Sequence, residues 1–248
     1  MAWLNKGPTP EHLTQARGFF ERALAIDPRN VEALVGTARV DASTGASVLT
    51  EDRIMYLERA ERTLGEVLSM APQHAFAHAV MGLVQIATNR AAQGIAECER
   101  ALALDRNLAH AHGFIGLAKI YIGRAAETEG HVGEALRLSP RDTRVHLWMM
   151  FVGAANLHLG ADAEALAWCR RGLEANRNHS LSHFQHAAAL ALLGHMNEAG
   201  AAIQAGLALD PSFTLRRFRV NVPSDNPTYH AGARRIYEGM RLAGVPEG

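Results

Sequence analysis

Four histidines recur at equivalent places in a repeating pattern: His78, His112, His146 and His183. A row of imidazoles could bind a metal ion or respond to pH. A zinc ion, however, needs its ligand nitrogens about 2.1 Å from a single point. Equivalent positions of successive repeats are too far apart for that, so we expect half-buried packing positions.

Two other histidine groups have spacings that could place side chains together. His179, His183 and His186 lie around the start of a predicted helix, but no acidic or cysteine residue is near them in sequence. His110 and His112 are two residues apart, and such residues point to different sides of a helix. We therefore expect no metal ion and no cofactor.

The two cysteines, Cys98 and Cys169, occupy the same position of predicted second helices. They are two repeats apart, which is too far for a disulfide bond. We expect both to be buried thiols. So few cysteines fit a reducing compartment, and we expect a cytoplasmic protein.

Catalytic and nucleic-acid-binding signals are weak. The chain has no G-x-S-x-G, P-loop, Rossmann glycine or H-E-x-x-H motif, and we expect it not to be an enzyme. Lys plus Arg equals Asp plus Glu, at 25 each. A small basic cluster, Arg216, Arg217 and Arg219 with Arg234 and Arg235 beyond it, is explained by helix capping and solvation. We expect no nucleic-acid partner.

The composition indicates helices and no membrane segment. Ala and Leu, the strongest helix formers, dominate the apolar residues. The first residues contain no apolar signal-peptide core, and no apolar stretch reaches 18 residues. We expect an all-α protein that does not associate with a membrane.

A repeated segment is the main signal in the sequence. It reads Ala-Leu-Ala-Ile-Asp-Pro at 23–28, Ala-Leu-Ala-Leu-Asp-Arg at 101–106, Ala-Leu-Arg-Leu-Ser-Pro at 135–140 and Gly-Leu-Ala-Leu-Asp-Pro at 206–211. The second and third copies are 34 residues apart, which is typical of a helix–turn–helix repeat. Small residues recur where two helices must approach closely. Gly45, Gly123, Gly160 and Gly194 follow the first helices, where left-handed residues end a helix.

This pattern resembles the tetratricopeptide-repeat (TPR) family over nearly the whole chain. The resemblance implies an all-α, right-handed α-solenoid of about six helix pairs with a C-terminal capping helix. The solenoid spans residues 1–213, in units 1–30 (partial), 31–74, 75–108, 109–142, 143–179 and 180–213. Extra residues occur near 46–53 in the second unit and near 156–160 in the fifth.

The two ends carry further expectations. The first unit retains only its second helix, from about Pro10 to Ile26, so we expect a longer polypeptide upstream; the alternative is that Met1 is native. Residues 214–248 form the capping segment, with a helix from about Thr228 to Ala243 ended by Gly244. Its apolar stripe should cover the open end of the stack.

Two short segments carry a narrower resemblance. The tail from Pro227 to Glu247 and residues 4–11 resemble the C-terminal TPR region of rhizobium-like class III adenylate or guanylate cyclases and of related winged-helix regulators. In those proteins the catalytic or DNA-binding domain precedes the repeats. The resemblance implies a signalling context, and no cyclase motif is present in this chain.

The TPR resemblance also implies a candidate partner groove, since the first helices of such stacks line a concave face. The groove residues are apolar: Phe76, Leu83, Ile86, Leu117, Ile120, Tyr121, Leu147, Phe151 and Phe184. The basic clamp for acidic chaperone tails is missing. A groove this apolar is expected to be covered, by a partner protein or peptide, a second copy of the chain, its own tail or an upstream region. Alternatively, these side chains are ordinary core.

Overall fold

The computed structural model describes residues 10–47 and 52–248, and within these ranges the chain is helical and has no strand. Segments rich in strong helix formers alternate with short turns along the chain, and each segment forms one helix. The helices are α1 Pro10–Ile26, α2 Val31–Gly45, α3 Arg53–Met70, α4 Ala75–Ala87, α5 Ala91–Leu104, α6 Ala109–Tyr121, α7 Thr128–Leu138, α8 Val145–Leu159, α9 Asp162–Ala175, α10 Ser180–Leu192, α11 Met196–Leu209, α12 Leu215–Val220 and α13 Pro227–Leu242.

Successive helices form five pairs: α2 with α3, α4 with α5, α6 with α7, α8 with α9, and α10 with α11. Each first helix also contacts the first helix of the next pair, and each second helix contacts the first helix that follows it. This is the contact pattern of a solenoid, in which each repeat packs on its neighbours. α1 packs on α2 and has the bounds predicted for the second helix of the first unit.

The two helices of a pair meet at a small residue. A Cβ added at Gly82 would lie 2.5 Å from Cys98 Sγ, and one added at Gly153 would lie 2.8 Å from Cys169 Sγ. Any side chain at either glycine would push the helices apart. The two thiols therefore fill the space that these glycines leave.

The cysteine thiols should be unreactive in the folded protein. Both are buried, and burial raises the pKa of Cys98 and raises that of Cys169 to about 12. The thiolate is the reactive form, so we expect labelling by a disulfide reagent to be at least about a hundredfold slower in native buffer than in denaturant. Fast labelling in native buffer would contradict this packing.

The glycine contacts correct the predicted register of the fifth unit. Gly82, Gly116 and Gly153 each face the residue 16 positions later in their own pair. Compared with the preceding unit, the chain therefore has three extra residues between Ala135 and Gly153. These lie in the turn before α8 and at its start, not near 156–160 as predicted.

The turn residues confirm most of the predicted helix ends. Gly123, Gly160, Gly194 and Gly244 all have a positive φ. Gly45 was predicted to be left-handed and is not: it is the last residue of α2, which continues because the extra residues of this unit follow it. Part of that insertion, 48–51, lies outside the described residues.

One buried carboxylate joins the first three helices. Asp41 of α2 is fully buried and accepts hydrogen bonds from Arg17 of α1 and from Arg59 of α3, whose Nε lies 2.7 Å from Oδ2. A buried charge is tolerated only when it is paired and hydrogen-bonded. The pattern of apolar residues gave no indication of this junction.

Candidate functional site

The side of the stack formed by the first helices α8 and α10 is occupied by the chain's own C-terminal segment. α13 makes its main contacts with α10 and α8, the first helices of the last two units. Its predicted bounds are correct to within one residue at each end. The prediction that its apolar stripe covers the open end of the stack is wrong, because α13 packs along the first helices α8 and α10 instead.

An aromatic cluster holds the start of α13. The Tyr229 ring lies 5.5 Å from the Tyr121 ring of α6 and 4.7 Å from the His158 ring of α8, centroid to centroid. Ile120 and Ala233 are buried in the same cluster. Aromatic contacts of this kind add specificity to the burial of apolar area.

Further along, α13 approaches α10 closely. A Cβ added at Gly239 would lie 2.8 Å from the Ala188 carbonyl oxygen and 3.0 Å from its Cβ. Because the blocking atoms include backbone, neither helix can adjust at this point without moving. Gly239 thus fixes how deeply the tail enters the groove.

Polar contacts fix the loop before α13. Ser224 Oγ donates to the Tyr121 carbonyl at 2.7 Å, and Asn226 Nδ2 donates to the Ile122 carbonyl at 3.1 Å. These carbonyls end α6 and would otherwise lack partners. Asn226 also caps α13, and Asp225 pairs with Asn89 of the previous unit. A cleft of about 440 Å³ lies beside this loop.

The predicted groove residues fall into several environments. Ile120, Tyr121 and Phe151 pack in the aromatic cluster at the start of α13. Leu83 is buried in the core of the earlier units, and Leu117 packs against that core while only partly buried. Phe76 and Leu147 are partly buried. The structure therefore brings only some of the predicted groove residues together against α13.

Ile86 and Phe184 face their partner helices. Ile86 is fully buried against Gly94 of α5, and the Phe184 ring stacks on Phe213 with centroids 3.7 Å apart. Both are core side chains between the two helices of a pair. An offset of one residue in the repeat numbering exchanges a groove-facing position of a helix for a core-facing one. The repeat numbering alone therefore did not distinguish the two sides.

The recurring histidines act as packing and hydrogen-bonding groups. His78 Nε2 lies 2.9 Å from the Pro72 carbonyl and Nδ1 2.7 Å from Glu97 Oε2, and His183 Nε2 lies 2.8 Å from the Arg177 carbonyl. His78 and His183 thus contact the turn that precedes their helix. His146 is not equivalent to them, because the three extra residues place Met149 at that position.

The three histidines considered as metal ligands have separate partners. His179 Nδ1 lies 2.9 Å from Ser182 Oγ, His183 is bound to a carbonyl, and His186 Nε2 is buried without a partner. Within the described residues, no three His, Cys, Asp or Glu side chains are grouped as a metal site would require.

Acid should destabilise the fold through its partly buried histidines. Burial lowers the pKa of His158 to about 4 and that of His179 to about 3, from an ordinary value near 6.5. The unfolded chain therefore binds more protons than the folded chain below pH 6.5, and the free energy of unfolding falls as the pH drops from about 6.5 towards 4.

We expect the melting temperature to fall less between pH 7 and pH 4.5 in His158→Gln than in wild type. His195→Gln, at an exposed site, serves as the control, and equal falls in all three proteins would contradict the assignment.

The basic residues of the tail are mostly paired with acids. Arg217 lies 3.3 Å from Asp210, Arg219 lies 3.7 Å from Glu247, and Arg235 pairs with Asp162 at the start of α9. Arg216 and Arg234 are exposed. The Arg217 and Arg235 pairs tie the tail to the solenoid, a role that the prediction of helix capping and solvation did not include.

Sequence reasoning did not predict that three arginines are buried inside the stack: Arg39, Arg53 and Arg144. Arg53 Nη2 donates to the Ala87 carbonyl at 3.1 Å, across the end of α4. A cation at a helix C-terminus interacts favourably with the helix dipole. Their only sequence signal is a charged residue at a position that is otherwise apolar.

Solved structures show which fold this arrangement represents. TTC0263, a thermophilic TPR protein of Thermus thermophilus, superposes with a TM-score of 0.59 at 20% identity, over 73% of this chain and 91% of that one. The chain has the TPR fold. The TPR solenoid also matches Pseudomonas aeruginosa pilF, with a TM-score of 0.58 at 19% identity, over 80% of this chain and 88% of that one.

A longer chain matches as well. The human IFIT1 dimer with m7Gppp-AAAA superposes with a TM-score of 0.66 at 17% identity, over 82% of this chain and 47% of IFIT1. The chain thus spans about half the length of IFIT1. No sequence-family model and no curated protein sequence matches it. Among the described residues, none of the helices has the length and apolar character needed to cross a bilayer.

Proposed function

We propose that this TPR chain is a protein-interaction scaffold whose concave face binds an amphipathic helix of a partner. The observation that carries this proposal is α13 itself. The face formed by α8, α10 and the end of α6 already accepts an amphipathic helix, through small residues such as Ala188 of α10 and aromatic residues such as Tyr121 of α6. Helix-in-groove binding uses this same chemistry.

The earlier units offer the surface for the partner. α13 has its main contacts on the last two units and reaches only the end of α6. The first helices α2, α4 and α6 therefore present a concave face that α13 does not cover. Phe76 and Leu117 on this face are partly buried and apolar.

We further propose that the scaffold is the regulatory or assembly region of a larger bacterial signalling protein, such as a nucleotide cyclase. The support is the resemblance of residues 4–11 and of the tail to such regulators. The second candidate is a stand-alone adaptor, favoured by a groove that already holds a helix. A third is the accessory part of an enzyme whose catalytic domain lies upstream.

The size of the native polypeptide separates these possibilities. An immunoblot of source cells with an antibody against this chain should give a band well above 26.9 kDa, the mass of the chain. A band near 27 kDa would contradict the regulatory proposal and favour the adaptor. Turnover by the isolated chain would contradict both.

A charge on the concave face should abolish partner binding. We expect Leu117→Glu to reduce recovery of a co-immunoprecipitated partner at least about tenfold, because a buried carboxylate opposes an apolar contact. Ala103→Glu, at an exposed position of α5, is the matched control. Both variants are checked for folding by circular dichroism, and a folded Leu117→Glu protein that retains its partner would rule out this face.

A further inference from the structure

The helix α13 contains two glycines that the neighbouring helices require. A side chain at Gly232 would collide with the His158 ring of α8, and a Cβ at Gly239 would lie 2.8 Å from the Ala188 carbonyl oxygen of α10. Glycine is among the poorest helix formers in the interior of a helix. The close fit of α13 to these two helices is therefore obtained with residues that weaken α13 as a helix.

Docking on the solenoid stabilises α13. The helix has 16 residues, and isolated helices of about this length are marginal in water even when they are rich in alanine. It packs chiefly on α10 and α8, and much less on α12, which precedes it in the chain. We therefore expect α13 to unfold when it leaves this face, as a unit of low local stability, while the repeats stay folded.

Hydrogen bonds hold the segment at its two ends. Before α13, Ser224 and Asn226 donate to the carbonyl groups that end α6. After it, the Leu215 N–H donates to the Pro246 carbonyl at 2.9 Å. Each such bond contributes little net free energy, because water replaces it on release. Opening therefore costs mainly the apolar contacts of α13, and a second helix in the same place would restore those contacts.

The side chains of α13 show what a competing helix would need. Tyr229 packs on Tyr121, and Ile236 is buried in the core shared with α10. Arg235 pairs with Asp162, whose side chain is 10% exposed at the start of α9. Without a cation there, a nearly buried carboxylate would be left unpaired. A competing helix therefore carries an aromatic residue, a basic residue six positions later and a glycine four positions beyond that.

We propose that α13 is an intramolecular inhibitor of partner binding. It occupies the face of α8 and α10 as a partner helix would, and a basic amphipathic helix with the spacing of α13 reaches this face by displacing it. This rests on the proposed function, since it extends the partner surface from α2, α4 and α6 to the last two units. A linked tail has an effective concentration of about millimolar, so a free helix binds the face weakly until the tail is released.

The probe for the test is a fluorescein-labelled peptide of residues 222–248, added to the whole chain and followed by fluorescence anisotropy. Gly239→Leu releases the tail and leaves the face intact. Ala188→Leu also releases the tail, but its side chain fills the face from the solenoid side. Gly200→Leu is the control, since a Cβ at that glycine meets nothing within 4 Å. Circular dichroism checks that each variant is folded.

We expect the peptide to bind Gly239→Leu at least about tenfold more tightly than wild type or Gly200→Leu, because the open face is fully populated only in Gly239→Leu. Ala188→Leu should not bind the peptide, and a peptide that itself carries Gly239→Leu should bind none of the four proteins. Three results would overturn the proposal: no binding to Gly239→Leu, equal affinity for Gly239→Leu and wild type, or tight binding to Ala188→Leu.

Hydrogen exchange of the wild-type protein tests the opening without any variant. The amides of α13 should exchange as a group, at least about a hundredfold faster than the buried amides of α8 and α10. If α13 exchanges at the rate of those helices, the tail opens only with the whole stack and cannot act as an inhibitor. These measurements need no partner protein, so α13 can fail as an inhibitor while Leu117→Glu still abolishes partner binding, or the reverse.

Discussion

Gly239→Leu should release the C-terminal helix from the solenoid. The new side chain would meet the Ala188 backbone, which cannot yield as a flexible side chain would. Overpacking of this kind commonly destabilises by about 1–3 kcal/mol, and more where backbone blocks the space. Because α13 packs chiefly on two helices, the loss should fall on this element and leave the repeats folded.

Limited trypsin digestion measures the release directly. The bonds after Arg234 and Arg235 lie within α13 and should be cut at least about tenfold faster in Gly239→Leu than in wild type. Gly200→Leu is the matched control, since a Cβ at that helical glycine meets nothing within 4 Å. Equal cleavage in all three proteins would mean that α13 is not held by this contact. A released tail would also uncover the face of α8 and α10 for a partner helix.

Asp41→Asn should cause the second large effect, a loss of about 3 kcal/mol in the free energy of unfolding. The substitution leaves Arg17 and Arg59 without the carboxylate that both contact. These arginines are partly exposed, so water recovers some of the loss and the effect stays at the lower end of the range for buried pairs. Urea denaturation measures it.

Glu61→Gln provides a matched comparison for Asp41→Asn. Glu61 forms a two-point ion pair with Arg90, with both distances 2.7 Å, but at a half-exposed site. Exposed pairs contribute about 1 kcal/mol or less. If the two substitutions destabilise equally, burial of Asp41 is not what makes its pairing important. Loss of α1 before the other helices would locate the effect at this end of the stack.

The repeat pattern predicted much of the fold because its causes are local. Residues 34 apart share a helix position, a small residue marks each close helix contact, and a glycine marks each turn. These signals gave α1 and α13 to within one residue. They failed at Gly45 and in the fifth unit, where extra residues changed the local spacing and the sequence alone did not show which side of the helix absorbed them.

The candidate site was predicted less well than the fold. Ile120, Tyr121 and Phe151 pack in one cluster with Tyr229 and Ala233 of α13, whereas Ile86 and Phe184 are fully buried between the helices of a pair, and partner binding by the predicted groove stays a prediction. Both kinds of position read as apolar residues at helical spacing, since a first helix in such a stack is buried on several sides. Only the contacts between elements distinguish the two.

By itself, the sequence determined that the chain is an all-α stack of helix pairs, because helix propensity, turn residues and small contact residues act over short distances. The tertiary structure alone decided where α13 lies, since an amphipathic stripe specifies that a face is buried but not against what. It alone brought Arg17 and Arg59 to the buried Asp41 carboxylate from three different helices, because the partners of a buried charge depend on how the helices pack.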